Sequence, residues 1–352
     1  MYIILTIALS CLIVLLILRY QSLLFVIYAV KYEIIYLFLG FKAVIEDYMY
    51  RKCVDEIKEF PLRPGDVAVI TGGSRGIGLR VATRLMSCDM HVVIGCRNVK
   101  QGNEALARLK SAGAASGSAE CLHVDMASLA SVRRFAEEVL ARCPRINVLV
   151  NNAGIMFAPF ELTEDGFESH LAVNYLGHCL LTHLLLPRLA SSAAPGVSSR
   201  VVNVSSCAHE CAAIDFQDLN TLNRYLGTVA YGRSKLAQVL FTRALERRLR
   251  AAGAPVQAHA VHPGLVDTDL FHGTAVKLLL PWALKLLFKT PEQGAVPVLY
   301  AAVGTELEGA GGTYISNCSV VPCSEAAARE TTQEQLWARM MGMLQLETFG
   351  GL

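Results

Sequence analysis

Tyr231 and Lys235 stand four positions apart in the run YGRSK. On a helix that spacing puts both side chains on one face. A phenol with a pKa of about 10 is a poor base at neutral pH. An ammonium beside it favours the phenolate and lowers that pKa, so the pair is a candidate proton donor and acceptor. Ser206, in VVNVSS, can hydrogen-bond the oxygen on which such a proton would land. By itself a Tyr-x-x-x-Lys pair is common by chance, and an exposed helical pair is the plain alternative.

A second constellation is the turn Thr71-Gly72-Gly73-Ser74-Arg75-Gly76-Ile77-Gly78, directly after the apolar run 67–70 and at the start of a helical pattern. A glycine-rich turn there lets backbone N–H groups approach a phosphate at a helix N-terminus. Contacts to a dinucleotide are therefore expected at Thr71, Gly72, Ser74, Arg75, Gly76, Ile77 and Gly78. Many dinucleotide sites hold the ribose hydroxyls with an acid at the end of the second strand. Here that position reads Gly95-Cys96-Arg97-Asn98. Arg97, with Arg75, suits a 2′-phosphate, because guanidinium forks match phosphate. NADP(H) is the expected cofactor, NAD(H) the alternative, and two solvated arginines the bland reading. Asp125 and the run Asn151-Asn152-Ala153-Gly154 end the next two predicted strands on the same edge, as cofactor contacts or as ordinary turn residues.

These residues need a scaffold. Predicted strands at 67–70, 91–95, 121–124, 147–150, 200–204, 257–261 and 312–315 are continuous apolar runs, as in a parallel sheet covered on both faces. Helical stretches lie between them, with Leu236, Leu240, Phe241, Ala244, Leu245 and Leu249 at helical spacing. Alternating strands and helices imply an α/β fold with a doubly wound parallel sheet, a Rossmann fold. Segments 111–119 and 191–199 read as surface loops. Apolar residues make up 53% and charged residues 18% of the 352, which excludes a disordered chain. Lys plus Arg (32) against Asp plus Glu (30) gives a net charge of +2, which offers no case for a nucleic-acid partner. Eleven cysteines without a CxxC pair indicate neither a disulfide framework nor a zinc ribbon. No metal site is expected. His170, His178 and His183 read as packing or surface residues, and without a GxSxG elbow a hydrolase triad has no anchor.

The N-terminus reads differently. Residues 2–18 carry no charge, Arg19 interrupts, and apolar character resumes over 23–30 and 34–41. A bilayer core needs roughly 20 apolar residues, so one span fits, with Arg19 snorkelling to an interface. A cleaved signal peptide would need a basic start and a small-x-small site; this start has no basic side chain. Arg19, Lys31, Lys42, Arg51 and Lys52 follow the span, which predicts a cytosolic main domain. The expected organisation is a membrane anchor and apolar juxtamembrane segment at 1–41, a linker at 42–63, the dehydrogenase-type domain at 64–340 and a C-terminal tail at 341–352. The second apolar stretch either re-enters the membrane or lies on its surface. The sequons at Asn203 and Asn317 are expected to stay unmodified.

In this order, TGGSRGIG at 71–78, NNAG at 151–154, Asn174 in LAVNYLGH, Ser206 in VVNVSS, YGRSK at 231–235 and HPGLVDTDL at 262–270 resemble the short-chain dehydrogenase/reductase family. The resemblance covers roughly 64–340, the length of one domain. It implies that Tyr231 is the general acid/base, Lys235 its activator and a grip on the nicotinamide ribose, Ser206 the substrate-oxygen donor, and Asn174 the holder of a proton-relay water. Ser205 is the competing serine. Asn152, Asp125, the glycine turn, and Pro263, Gly264, Val266 and Thr268 are implied cofactor contacts. In reduction, hydride would pass from C4 of NADPH to a carbonyl carbon while Tyr231 gives the proton. Tyr231 follows Ser206 by 25 residues, a spacing similar to the retinol-dehydrogenase-like branch. The stretches 277–295 and 305–317 resemble the polyprenol-dehydrogenase-like branch.

The resulting expectation is a membrane-anchored oxidoreductase for a lipophilic alcohol and its aldehyde or ketone, best a polyprenol-type lipid, at the endoplasmic reticulum or a lipid droplet. Rivals are a retinal or steroid reductase, an inactive cofactor-binding scaffold and a plain tethering module. The Leu-rich segment 276–288, with Trp282 and flanking lysines, is expected to be a lid dipping into lipid. The competing reading buries it in the protein core or a homodimer interface.

Overall fold

The computed structural model describes residues 2–56, 59–111, 116–271 and 287–352. Helix α1 (Tyr2–Glu56) opens the chain. Then strands and helices alternate: β1 (Val67–Thr71), α2 (Gly76–Ser87), β2 (His91–Cys96), α3 (Val99–Ser111), β3 (Ser118–His123), α4 (Leu129–Arg142) and β4 (Val148–Asn151). A π-helical turn (Leu171–Leu176) runs into α5 (Gly177–Ser192), followed by β5 (Ser199–Val204), α6 (Gly227–Ala251) and β6 (Val256–His262). The chain ends with α7 (Pro291–Val303), β7 (Tyr314–Ser316), β8 (Ser319–Val321), α8 (Glu325–Ala328) and α9 (Glu330–Met343).

The eight strands form one sheet in the order β3-β2-β1-β4-β5-β6-β7-β8. All neighbours are parallel except β8, which returns antiparallel to β7. This is the expected doubly wound Rossmann sheet. Its central strands are buried on both faces, which is why they read as unbroken apolar runs. One face packs on α4, α5 and α6 through Phe135, Leu180 and Leu240; the other packs on α2 and α7 through Leu85 and Val298. The chain winds outward in opposite directions from β1 and β4, and such a switch point leaves a crevice at the strands' carboxyl ends.

Four expectations need correction or restriction. The third strand begins at Ser118 and ends at His123, earlier than 121–124, so the expected loop 111–119 overlaps β3. Residues 42–56 are not a linker: α1 runs on through Glu56, with Ala43 and Asp47 buried against the domain. Its 55 residues extend over about 80 Å at 1.5 Å per residue. Residues 341–352 are not a loose tail, because Leu344 and Phe349 are buried and the Phe349 ring lies 4.8 Å from Trp337. The aromatic character of Phe349 draws this segment into the core. The proposed lid 276–288 lies outside the described residues except for its last two.

Candidate active site

The carboxyl end of the sheet is organised by Thr71, the fully buried last residue of β1. Its hydroxyl accepts the backbone N–H of Asn152 and of Ala153, each at 3.0 Å, and lies 2.9 Å from His178 Nε2. Among the described residues His178 Nδ1 has only the Asn174 carbonyl as partner, at 3.1 Å, so Nδ1 donates. The other nitrogen is then the acceptor for the Thr71 proton. Burial lowers the His178 pKa to about 3, which keeps the ring neutral as that arrangement requires. The Asn152 amide donates to the carbonyls of Thr71 (2.9 Å) and Gly72 (3.2 Å), folding the glycine turn onto the end of β4. Gly72 has φ +69 and packs so closely that an added Cβ would meet the Ala153 backbone at 2.9 Å.

Above this floor opens a cavity of about 890 Å³. Gly72, Arg75, Gly76, Ile77, Gly78, Asn152, Ser206, Tyr231, Lys235, Pro263, Gly264, Val266 and Thr268 all line it, bringing together most residues singled out from the sequence. Thr71 and Asn174 are buried behind the wall, and Ser74 stands beside it. Arg97 and Asp125 are not part of the lining. Asp125 Oδ1 accepts the Ala127 N–H at 3.0 Å, a turn-forming role. Arg97 is exposed, with no hydrogen-bond or ion-pair partner among the described residues. Arg75 faces Asp269 at 3.3 Å.

A dinucleotide fits this surface. Arg75, the N-cap of α2, gives no side-chain cap to the helix. The first N–H groups of α2 are thus left without a capping side chain where Gly76, Ile77 and Gly78 line the cavity, an arrangement suited to phosphate. Gly76 has φ +54, and an added Cβ would approach Thr268 of the facing loop.

Tyr231 and Lys235 lie in the first turns of α6, both almost fully buried. Burial raises the Tyr231 pKa well above its usual range, and the nearby Ser206 hydroxyl pulls it back in part. Lys235 Nζ donates to the Val204 carbonyl (2.8 Å) and to Gln238 Oε1 (3.0 Å) and sits 5.7 Å from the Tyr231 ring centre. Burial alone brings the Lys235 pKa down to about 7. The expected lowering of the phenol's pKa by this ammonium is therefore absent from the protein alone, because desolvation weakens both charged forms. Ser205 donates to the Lys235 carbonyl at 2.9 Å, which leaves Ser206 as the hydroxyl facing the phenol.

Asn174 occupies the π-helical turn. Its Oδ1 accepts the Ile155 N–H at 2.9 Å, and its Nδ2 donates to the Ile155 carbonyl and to Ser234. These bonds hold the backbone of residue 155 against α6. Asn203 and Asn317, the two sequon residues, are buried. His170 and His178 are buried with internal partners, and His183 accepts the Gly350 N–H. Among the described residues, no three His, Cys, Asp or Glu side chains could hold a metal ion.

The sequence reading gave Asp47 no role and took Lys289 as an interfacial lysine flanking the Leu-rich segment, whereas both are buried. Lys289 is 1% exposed and pairs with Asp47 of α1 at 2.8 Å, with Asn317 Oδ1 at 2.5 Å beside it. Asp47 also accepts the Leu265 N–H at 2.7 Å. This cluster holds the 263–268 loop, and an added Cβ on Gly264 (φ +95) would strike both charged groups. The only sequence signals were charges set in apolar runs.

A family model described as short chain dehydrogenase matches residues 66–277. The chain is 41% identical to human polyprenol dehydrogenase over 308 residues, covering 86% of this chain and 92% of that protein. It is 43% identical to human retinol dehydrogenase 12 over 275 residues, covering 78% and 84%. Among solved structures, an uncharacterised protein from Mycobacterium paratuberculosis matches with a TM-score of 0.66 at 35% identity, over 82% of this chain and 97% of that one. The RhlG/NADP active-site complex of Pseudomonas aeruginosa matches with a TM-score of 0.58 at 26% identity, over 72% and 94%.

Three buried histidines make the fold acid-sensitive. Burial lowers His178 and His259 to about 3 and His262 to about 4, against 6.5 for the free side chain. Folded pKa values below the unfolded value mean that the unfolded chain binds more protons between those limits. Stability should therefore be fully present above pH 6.5 and fall as the pH drops toward 4. Thermal melting followed across this range should show a midpoint that declines steadily; a flat profile down to about pH 5 would contradict neutral burial of these rings.

Proposed function

The chain belongs to the short-chain dehydrogenase family and is an NAD(P)-dependent oxidoreductase of alcohol and carbonyl groups, and from that premise we propose that it works at a membrane, uses NADP(H), and interconverts a lipophilic alcohol with its aldehyde or ketone, polyprenol-type lipids fitting best. The observation that carries this reading is that Tyr231, Ser206 and Lys235 together line one largely apolar cavity whose wall includes α1. Retinal is the second substrate class, from the similarity to retinol dehydrogenases. Positive charge after residue 18 supports a domain facing the cytosol at the endoplasmic reticulum or a lipid droplet. Protease added to sealed microsomes should digest the domain, and full protection would reverse that orientation.

A bound nicotinamide supplies or takes the hydride. The chain does the rest. Ser206 and Tyr231 bind the substrate oxygen between their hydroxyls, which fixes the carbonyl plane. Burial keeps the phenol protonated at neutral pH, so Tyr231 is in the form that donates to a developing alkoxide. Lys235, held by Val204 and Gln238, sets the position of the first turn of α6 and places a cation near the phenolate formed. In oxidation Tyr231 must first lose its proton.

Reduction of a lipid aldehyde should accordingly slow as the pH rises through about 7, where Lys235 gives up its charge, whereas oxidation of the alcohol, which needs the phenol deprotonated, should accelerate as pH rises. Tyr231→Phe should lose about 10²–10⁴-fold in kcat with little change in NADPH affinity. Near wild-type turnover by that variant would falsify the assignment. For the cofactor, the uncommitted Arg97 guanidinium supports NADPH. Arg97→Ala should raise the KM for NADPH by about fivefold or more, with NADH unaffected, allowing for solvent screening of an exposed group. Equal losses with both cofactors would show that Arg97 does not read the 2′-phosphate.

A further inference from the structure

Three polar side chains of helix α1 reach the catalytic domain. Glu33 accepts the Thr228 hydroxyl at 2.5 Å, Lys42 pairs with Glu210 at 3.2 Å, and Asp47 pairs with Lys289 at 2.8 Å, all toward the catalytic domain. The opposite face is apolar and uncovered: Ile34 is 60%, Leu37 65%, Phe38 66% and Phe41 65% exposed. The segment Leu23–Tyr50 is long and apolar enough to cross a membrane. A contiguous apolar face of this length, continuous with the apolar residues 2–18 of the same helix, suits lipid and not water. Lys31 is exposed, and its long stem lets the ammonium reach headgroup level.

Leu37 and Phe41 also line the active-site cavity. Residues that are two-thirds exposed and yet line the cavity mark its mouth, which therefore opens at the edge of the lipid-suited face. Between them lies Gly40, another lining residue. Among the described residues an added Cβ there meets nothing within 4 Å, so the glycine leaves a gap in the wall rather than relieving a clash. Glycine is the poorest ordinary residue for a helix interior, and its packing neighbours give no reason for it at this position. From the catalytic phenol the path is apolar and aromatic: Tyr231 to Phe157 is 5.9 Å between ring centres, and Phe157 to Tyr36 is 5.7 Å. Gly40 lies one turn beyond Tyr36, about 6 Å along the helix.

We propose that the gap at Gly40 is a chain-exit subsite. A long isoprenoid or alkyl tail leaves the cavity between Leu37 and Phe41 and continues into the bilayer against the outer face of α1, while the reacting carbon stays at Tyr231 and Ser206. The inference rests on the oxidoreductase reading above and adds which surface selects long substrates. A substrate of this kind never has to cross water.

The experiment compares wild type, Gly40→Ala and Gly40→Trp in the full-length, detergent-solubilised protein with NADPH. Citral is the short aldehyde and geranylgeranial the long one. Gly40→Ala should fold at least as stably as wild type and keep both activities. Gly40→Trp should lose at least about tenfold in kcat/KM on geranylgeranial, with citral and the KM for NADPH within about twofold. Equal loss on both aldehydes, or no loss on either, overturns the exit. Failure of wild type on both aldehydes overturns the proposed function itself, and the exit with it. A second measurement does not depend on the bulky variant. Phe41→Trp reconstituted in vesicles of brominated phosphatidylcholine should show fluorescence quenched beyond that of the parent protein. An unquenched indole, with a second copy of the chain covering the face instead, overturns the lipid-facing mouth.

Discussion

The hydroxyl of Thr71 joins the end of β1 to the backbone of Asn152 and Ala153 after β4 and to the neutral ring of His178, and the geometry of the catalytic edge follows from that junction. A threonine hydroxyl has one proton and two acceptor sites, and all three are used. Without it the Ala153 N–H would lose its acceptor at the floor of a cavity, where an unmade hydrogen bond is expensive, and the Asn152 N–H would keep only the Val150 carbonyl. Because His178 passes the constraint on to the Asn174 carbonyl, the π-helical turn is fixed by the same contact. Asn174 then holds residue 155 and, through Ser234, the first turns of α6 that carry Tyr231 and Lys235. The position of the phenol thus depends on a chain of neutral hydrogen bonds that begins one strand away.

A second constraint comes from outside the sheet. The buried Asp47–Lys289 pair ties α1 to the loop that covers the cofactor side of the cavity. Two charges taken out of water are weak evidence for stability, but removing one partner of such a pair costs about 3–5 kcal/mol. The pair and its Asn317 contact therefore specify where α1 sits more than they strengthen the fold. The helix that reads as an anchor is in this way also a wall of the active-site cavity.

Much of the catalytic edge is legible in the sequence because its chemistry needs unusual residues at fixed places. A Tyr and a Lys on one helical face, a serine at a strand end and a glycine turn before a helix leave few alternatives. Asn174 shows the limit: its position is legible, but its side-chain partners depend on residue 155 and on α6, which come from distant parts of the chain. The contacts of α1 are invisible for a different reason. Tyr32, Tyr36, Gly40, Ala43 and Asp47 recur at helical spacing toward the domain, but the opposite face is equally apolar, so no periodic contrast marks the seam. Glu33 and Asp47 were the available signals, and they read as flanking charges until Thr228 and Lys289 appear beside them. Phe349 likewise looks like part of a loose end until its ring meets Trp337.

The central claim is that this cavity carries out hydride transfer to a lipid carbonyl with Tyr231 as the proton donor. The most direct test is a single turnover of geranylgeranial with NADPH deuterated at C4 of the nicotinamide, on the transferring face, analysed by mass spectrometry of the alcohol. The account predicts deuterium on the carbinol carbon in stoichiometric amount, with solvent hydrogen entering only the hydroxyl. Solvent hydrogen on that carbon, or cofactor bound with no labelled alcohol formed, would contradict it.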